Sequence, residues 1–520
     1  MDSDRLPAEI RRFALPFLLI TFPFAIAFAG TPLVSGMVVA AFFFLAYQLN
    51  CIKSFGVILG VSFLINSLVF SGAVIHFDTD AYIAPQIRLL ASPFQITPDG
   101  FYNATHLALP RGFSAWCAAL YRLMGSIDCG AMLVWMLIPA AWMVLRHTLT
   151  RWQTLVLLLS PALFPSLFNL MSDGCVYLLL LIALVALVDK ENFWIPLLAA
   201  AGAALCKTSA WIPCALVGLL LLRNHPTRWW KLGLVALVVL GYNLPTLRMM
   251  CAGGLSEISA DFDCANDAAK AMGYWARLAY VYLGHWTTTT QPVFGAHVGG
   301  VDGGGVDGLG PVFRVAVWCS LAVLICFRRR LKGWGMPLVL AWGSVLVMPT
   351  LYIGYARYVP WLYPAVMLPL ALVAPRCSTL LSGALCVVPT LWLGWRIALS
   401  TEVVRVACHA TEVQSGVYNI RCTFREQLTE EAQPTLSGSL IYSYQMDEGY
   451  FPPIQRTHFE DLKAVFPFAK AHDVQAYMVK TWVPWMICHF PEYLFDLLTL
   501  RTRWLLAPRG LTDDLSTAHR

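Results

Sequence analysis

The chain has 520 residues, of which 58% are hydrophobic and 13% are charged, and its formal net charge is +6. Soluble domains carry about 25% charged residues, so this composition excludes an ordinary soluble protein and predicts an integral membrane protein. The small positive charge implies no nucleic acid partner, because cytoplasmic loops of membrane proteins concentrate Lys and Arg.

Apolar runs with the length of a membrane-crossing helix, roughly 20 residues, recur along the chain. We predict a polytopic α-helical membrane protein with about 11 to 14 transmembrane helices, a spread that allows for short and abutting runs. The predicted spans are 13–30, 33–50, 55–75, 129–146, 152–169, 174–189, 192–206, 208–223, 232–248, 311–327, 335–353, 358–374 and 378–398.

Alternation of these spans brings most basic clusters to one side of the membrane, which we therefore assign to the cytoplasm. Loops 76–128 and 249–310 then lie outside, as does the polar tail 399–520. The clusters on the cytoplasmic side are Arg11 with Arg12, Lys53, Arg146 with Arg151, Lys190, Arg223 with Arg228 and Lys231, Arg328–Arg330 with Lys332, and Arg376.

Two domains follow from this organisation: a transmembrane domain over 1–398 and an extracytoplasmic C-terminal domain over 399–520. Within the second, strand-like stretches at 400–475 predict a small α/β cap, and amphipathic helices follow it at the membrane surface. The apolar but arginine-bearing segment 106–125 predicts a helix that lies at the outer interface. Residues 295–310 are glycine-rich and suit either a mobile lid or a flexible linker, of which the linker is preferred.

Four cysteines fall in the predicted outer segments. Cys251 with Cys264, and Cys408 with Cys422, either form bridges in an oxidising compartment or remain thiols. The cysteines include no CxxC pattern, so the sequence predicts no metal or redox site built from them.

An acidic cluster follows the third predicted span directly, in the sequence His76-Phe77-Asp78-Thr79-Asp80-Ala81-Tyr82. Ionisable groups at a membrane boundary are costly unless they are solvated or paired, which makes such a cluster a candidate site. The donors Gln86 and Arg88 come next and suit a polar substrate, whereas the alternative is an ordinary solvated loop.

Two further charges lie at predicted outer junctions. Asp173 stands at the start of a span, where it either caps a helix or belongs to a site. Lys207 lies between two short spans, and a lysine at that depth either binds an anion or extends to the headgroups.

The segment 354–364, Gly-Tyr-Ala-Arg-Tyr-Val-Pro-Trp-Leu-Tyr-Pro, lies at a third outer junction. The planar donor fork of Arg357 suits a phosphate, and the neighbouring aromatic residues suit an acyl groove. Arg357 reaching toward lipid headgroups is the simpler alternative. The outer face thus combines acids for a polar substrate, cations for a phosphate and aromatic residues for an acyl chain. This combination fits a sugar that is carried on a polyprenyl phosphate.

The pattern resembles the GT-C superfamily of membrane glycosyltransferases, which use polyprenyl-phosphate sugars. The similarity covers about residues 55–375 and is architectural. It rests on Asp78-Thr79-Asp80-Ala81-Tyr82, Leu107-Ala108-Leu109-Pro110-Arg111-Gly112-Phe113, Met171-Ser172-Asp173, Lys207-Thr208 and Arg357-Tyr358-Val359-Pro360.

The resemblance implies inverting transfer of one sugar to an acceptor hydroxyl on a glycan or protein. Asp78 or Asp80 would be the general base, and Asp78 is preferred. The donor phosphate would contact Lys207, Arg357 and Tyr358. The remaining substrate contacts would come from His76, Tyr82, Arg88 and Asp173. No metal is expected to be obligatory, although a divalent cation is compatible with the site. The expected location is a bacterial inner membrane, with the site facing the periplasm.

Two other functions fit the same membrane architecture. A glycan ligase or polymerase would take its donor from a polyprenyl diphosphate and would tolerate loss of Asp78. A transporter or flippase for lipid-linked sugars would show paired halves and polar residues at mid-membrane.

Overall fold

A computed structural model describes residues 8–69, 86, 90, 109–124, 130–160, 163–167, 172–251, 275, 310–347, 359–385, 409–410 and 421–422. These residues are mostly helical. Two short strands, β1 (His409–Ala410) and β2 (Arg421–Cys422), pair in parallel.

The helices follow one another with short connections wherever the structure describes both neighbours. In chain order they are α1 Ala8–Arg12, α2 Ala14–Ala27, α3 Pro32–Gln48, α4 Ile52–Val69, α5 Gly112–Met124, α6 Met132–Thr148, α7 Arg151–Leu158, α8 Ser172–Ala186, α9 Trp194–Cys206, α10 Trp211–Asn224, α11 Trp229–Tyr242, α12 Leu244–Cys251, α13 Gly310–Cys326, α14 Gly335–Val347, α15 Leu362–Val373 and α16 375–385.

Helix α8 forms the centre of the bundle. All of its residues from Ser172 to Ala186 are buried, as expected for a helix that is apolar on every face. It packs mainly against α6 and α9, while α2 packs against α5 and α6. Close approach of α2 to α9 requires Gly202, where a Cβ would lie 2.6 Å from a ring carbon of Phe24.

One end of the bundle gathers charged residues from distant parts of the sequence, and we call it the Asp189 end. Arg12 Nη1 lies 3.1 Å from Asp189 Oδ2, and Arg12 Nε donates to His147 Nε2 at 2.7 Å. Two further cations stack on the start of α9: the Arg228 guanidinium over Phe193, and the Lys231 ammonium over Trp194. The segments that carry Arg12, His147 and Arg228 therefore lie at one end of the bundle, and the side of a membrane that this end faces stays a prediction.

A carboxylate from α1 caps α9 at the same end. Glu9 Oε1 accepts the backbone N–H groups of Phe193, Trp194 and Ile195, at 2.9, 2.5 and 3.1 Å. These N–H groups have no partner within α9, and the positive end of the helix dipole favours an anion there. The contact fixes the start of the chain against the centre of the bundle.

The predicted spans and the observed helices agree in position for most of the chain, although thirteen spans were predicted and the described residues form sixteen α-helices. Each of the thirteen predicted segments overlaps one or more helices, with ends that differ by several residues. Among the described residues, no helix has both the length and the apolar character required for a membrane crossing.

Helix α5 differs from the prediction of a helix at the outer interface. Its residues Phe113 to Leu120 are buried with at most 6% exposure, because the helix packs against α2, α3 and α9. The apolar content of this segment therefore serves the core of the bundle. The predicted C-terminal cap lies outside the described residues except for β1 and β2.

Candidate functional site

The site centres on an ion pair between the start of α8 and the end of α9. Lys207 Nζ donates to Asp173 Oδ1 at 2.6 Å, and each of the two residues is only 8% exposed. The connection between α8 and α9 is short and lies at the Asp189 end, so the pair lies at the opposite end. We call this opposite end the Asp173 end.

The backbone at Lys207 explains why its side chain reaches α8. Lys207 leaves the helix with an extended conformation, at φ −158° and ψ 141°, and a 3-10 turn at Thr208–Ala210 follows before α10. The break between α9 and α10 therefore places one lysine at the helix end, beside the first turn of α8.

A tight contact holds the first turn of α8 in place. The N–H of Gly174 donates to Ser166 Oγ at 2.8 Å, and a Cβ at this glycine would lie 2.5 Å from Ser166 Cβ. Ser166 thus satisfies an N–H group at the helix start, and Asp173 is left to pair with Lys207. In the structure Asp173 therefore pairs with Lys207, and its role in a site stays a prediction.

Unsatisfied polar atoms surround the ion pair. Within the part of the chain that the structure describes, three buried atoms have no hydrogen-bond partner. They are Asp173 Oδ2 and the hydroxyl oxygens of Ser172 and Ser209. Buried polar atoms are normally hydrogen-bonded, and exceptions in a cluster point to a missing ligand or water. The three atoms can accept from sugar hydroxyls, and the two serines can also donate to a phosphate.

The start of α5 brings a further cation to the Asp173 end. Gly112 contacts the last turn of α9, and a Cβ there would lie 2.6 Å from the carbonyl oxygen of Leu205. Arg111 precedes this glycine, and desolvation by burial lowers its pKa, while the nearby Tyr242 acts in the opposite direction. A half-buried cation at the same end of the bundle as Lys207 suits an anionic ligand, although the predicted site residues did not include Arg111.

Gln86 connects the acidic segment to the same end. Its Nε2 donates to the carbonyl of Leu109 at 3.0 Å, and its Oε1 accepts from Ser114 Oγ at 2.6 Å. Only six residues separate Asp80 from Gln86, a chain length that spans at most about 20 Å. Asp80 therefore lies within about 20 Å of Gln86 along the chain, and Asp78, two residues further away, within about 27 Å.

A thiol pair lies next to the ion pair. Cys175 Sγ and Cys206 Sγ are 3.9 Å apart, and both are buried. They are free cysteines, as is Cys251, whose predicted partner Cys264 lies outside the described residues. The apolar thiols close the space between α8 and α9 behind Asp173 and Lys207.

The structure brings together two of the predicted site residues, Asp173 and Lys207. The others lie outside the described residues, namely His76, Asp78, Asp80, Tyr82, Arg88, Arg357 and Tyr358. Lys207 was predicted to bind the donor phosphate, and in the structure its near anion is a carboxylate. The carboxylate of Asp173 holds this ammonium in position.

Two of the aromatic residues that were predicted to line an acyl groove, Trp361 and Tyr363, pack into the core of the bundle instead, whereas Tyr355 and Tyr358 lie outside the described residues. Trp361 is fully buried and donates through Nε1 to the carbonyl of Leu180 at 3.0 Å. The Tyr363 hydroxyl lies 2.8 Å from the carbonyl of Leu159, which it can donate to. Both rings therefore anchor the start of α15 to the core.

The described residues contain no group of three or more His, Cys, Asp or Glu side chains that could hold a metal ion. The acidic pair Asp78 and Asp80 lies outside them. No protein-family model, curated protein or solved structure matches the chain.

Proposed function

We propose that this chain is a membrane-embedded glycosyltransferase of the GT-C type, which moves one sugar from a polyprenyl-phosphate donor to an acceptor hydroxyl. The observation that carries the proposal is the buried Asp173–Lys207 pair with its unsatisfied neighbours. It lies at the end of the bundle to which the acidic segment is tethered through Gln86.

The outer faces of the bundle support the membrane location. Helix α11 has no buried residue, and its exposed side chains are large and apolar, which favours contact with lipid. The charged connections gather at the Asp189 end, which we assign to the cytoplasmic face. The exposed apolar residues of α11 include Trp229 at 65%, Trp230 at 53%, Leu234 at 57%, Leu237 at 69% and Val238 at 56%.

The charges of the site suit a phosphate leaving group. Lys207 supplies an ammonium, Arg111 lies at the same end, and Arg357 is expected to add a guanidinium fork. Cations positioned where negative charge develops stabilise the transition state of a group transfer. Asp173 Oδ2 is an acceptor that can orient a hydroxyl of the transferred sugar.

The reaction needs one base and one leaving group. Asp78 or Asp80 takes the proton of the acceptor hydroxyl, and the oxygen attacks the anomeric carbon from the face opposite the phosphate. The bond between this carbon and the phosphate oxygen breaks, and the electron pair leaves with the lipid phosphate. The configuration of the anomeric carbon is inverted.

Donor consumption by the purified full chain tests the proposal, with a panel of polyprenyl-phosphate sugars in detergent. Asp78→Asn and Asp80→Asn are compared with Glu191→Gln, which removes an exposed acid near the Asp189 end. Loss of a general base costs about 10²- to 10⁴-fold in rate, so one of the two aspartate variants should lose turnover by this factor. That variant should still be stabilised by the donor.

Two outcomes would contradict the proposal. Full turnover in both aspartate variants, with polyprenyl diphosphate donors consumed, would identify a glycan ligase or polymerase. Absence of consumption and of thermal stabilisation with every polyprenyl-phosphate sugar would favour a transporter.

A further inference from the structure

An apolar groove lies between α13 and α14, away from the Asp173–Lys207 pair. It has a volume of about 680 Å³. Its lining includes Trp318, Leu321, Val339 and Trp342. Trp318 and Val339 are 57% and 64% exposed, so the groove opens to the surroundings of the bundle. Its walls bind hydrocarbon and offer little to a sugar.

Two cations, Arg328 and Lys332, complete the lining of the groove. Both are exposed, and within the described part of the chain neither forms a salt bridge. The sequence 310–347 contains five basic residues and no acidic one. The groove is therefore apolar along its walls and positively charged at the connection between its two helices.

The charged connection lies at the Asp189 end. Phe313 stacks on Tyr363 with ring centroids 5.9 Å apart, so α13 and α15 start side by side. After α15, Thr379 Oγ1 donates to the carbonyl of Trp152 at 3.1 Å, close to the segment that carries His147. Helix α13 therefore runs from the Asp173 end toward the Asp189 end, where Arg328 follows it.

We propose that this groove binds one anionic phospholipid, with its phosphate between Arg328 and Lys332 and an acyl chain along α14. The inference rests on the membrane location in the proposed function. The thirteen residues of α14 measure about 20 Å, longer than half the hydrocarbon core at about 15 Å. Basic pockets between helices on the cytoplasmic side bind anionic headgroups in this way.

The position of the cations excludes the sugar donor as the occupant. A donor phosphate must reach Lys207 at the Asp173 end, whereas the two groove cations lie at the opposite end of the bundle.

Native mass spectrometry of the purified full chain tests the lipid site, with phosphatidylglycerol titrated against phosphatidylcholine. The double variant R328Q/K332Q should retain phosphatidylglycerol roughly 25-fold more weakly, because each basic side chain in contact with an anionic headgroup contributes about fivefold. R329Q/R330Q is the matched control: it removes the same charge from the same connection, outside the groove lining. This control should bind like the unmodified protein.

A groove-filling variant separates shape from charge. Val339→Trp occupies an exposed part of the lining and should also weaken retention, although all the cations remain. The proposal would be overturned if R329Q/R330Q lost as much phosphatidylglycerol as R328Q/K332Q does. It would also be overturned if the unmodified protein retained phosphatidylcholine as strongly as phosphatidylglycerol. Displacement of phosphatidylglycerol from Arg328 and Lys332 by a polyprenyl phosphate would also overturn it. Lipid retention is measured in the absence of a sugar donor. A failure of the lipid site is therefore distinguishable from a failure of the proposed glycosyltransferase activity.

Discussion

Asp173 and Lys207 form a buried ion pair, 2.6 Å between Nζ and Oδ1, that joins the first turn of α8 to the last turn of α9. The partners are 34 residues apart in the sequence. Their charges cancel, yet Oδ2 of the aspartate keeps an unused acceptor within the described structure. The pair thus combines a structural contact with the capacity to bind a polar ligand.

Removing one member of the pair should destabilise the protein. Asp173→Asn removes the carboxylate charge that lies 2.6 Å from the buried ammonium of Lys207, and breaking a buried pair costs about 3–5 kcal/mol. Thermal or denaturant unfolding of the purified chain measures this loss. An unchanged free energy of unfolding would show that Lys207 has a second anion of equal strength.

The double variant Asp173→Leu with Lys207→Met separates stability from function. Replacing both charges by apolar groups of similar size removes the unpaired charge and should recover most of the stability. Donor turnover should stay lost, because the cation for the phosphate is gone. A folded double variant with normal turnover would exclude both residues from the site.

The sequence predicted the helices and the position of these two charges, but it did not predict that they pair. Apolar runs and charge asymmetry are local signals, so they indicate that Asp173 and Lys207 lie at outer junctions. Contact between them depends on how α8 and α9 pack and on the extended conformation of Lys207, which periodicity does not encode. Arg111 was missed for the same reason.

In segment 354–364, the residue types alone did not predict where the aromatic side chains lie. Trp361 and Tyr363 suit either a lipid groove or a core that offers carbonyl acceptors, and the structure places them in the core. Backbone carbonyls of Leu180 and Leu159 lie within hydrogen-bond distance of their polar atoms, and those acceptors are known only after packing. Whether a Trp or Tyr side chain is buried can therefore be predicted only once the fold is known.

Gly174→Ala should weaken the start of α8. The new methyl group would lie 2.5 Å from Ser166 Cβ, and overpacking of this kind costs about 1–3 kcal/mol. Gly233→Ala is the matched control on α11, because nothing lies within 4 Å of its Cβ position and alanine favours the helix by up to about 1 kcal/mol. Thermal unfolding should move in opposite directions for the two variants. Equal shifts would mean that the Ser166 contact relaxes without cost.

Glu9→Ala should loosen the Asp189 end. The carboxylate accepts three consecutive N–H groups at the start of α9, and hydrogen bonds to charged groups contribute about 1.5–3 kcal/mol each. Because Glu9 is only half-buried, water can replace part of these hydrogen bonds in the variant. We therefore expect the free energy of unfolding to fall by about 2 kcal/mol in total. Amide hydrogen exchange should rise at residues 193–195 and stay unchanged at Gly174. Glu191→Ala, an exposed acid near by, should have no such effect.

Arg111→Met should weaken donor binding. Burial lowers the pKa of Arg111, so folding disfavours its charged form, and this cost persists at every pH below the folded pKa. An anionic phosphate offsets the cost, so the donor should raise the unfolding temperature of the unmodified protein more than that of Arg111→Met. Arg122→Met is the control, since burial also lowers the pKa of Arg122 and its Nη1 donates to the carbonyl of Leu90 at 2.8 Å. Arg122→Met should lose stability, and the donor should still raise its unfolding temperature as it does for the unmodified protein. If the donor stabilised Arg111→Met fully but not Arg122→Met, the phosphate contact would belong to Arg122.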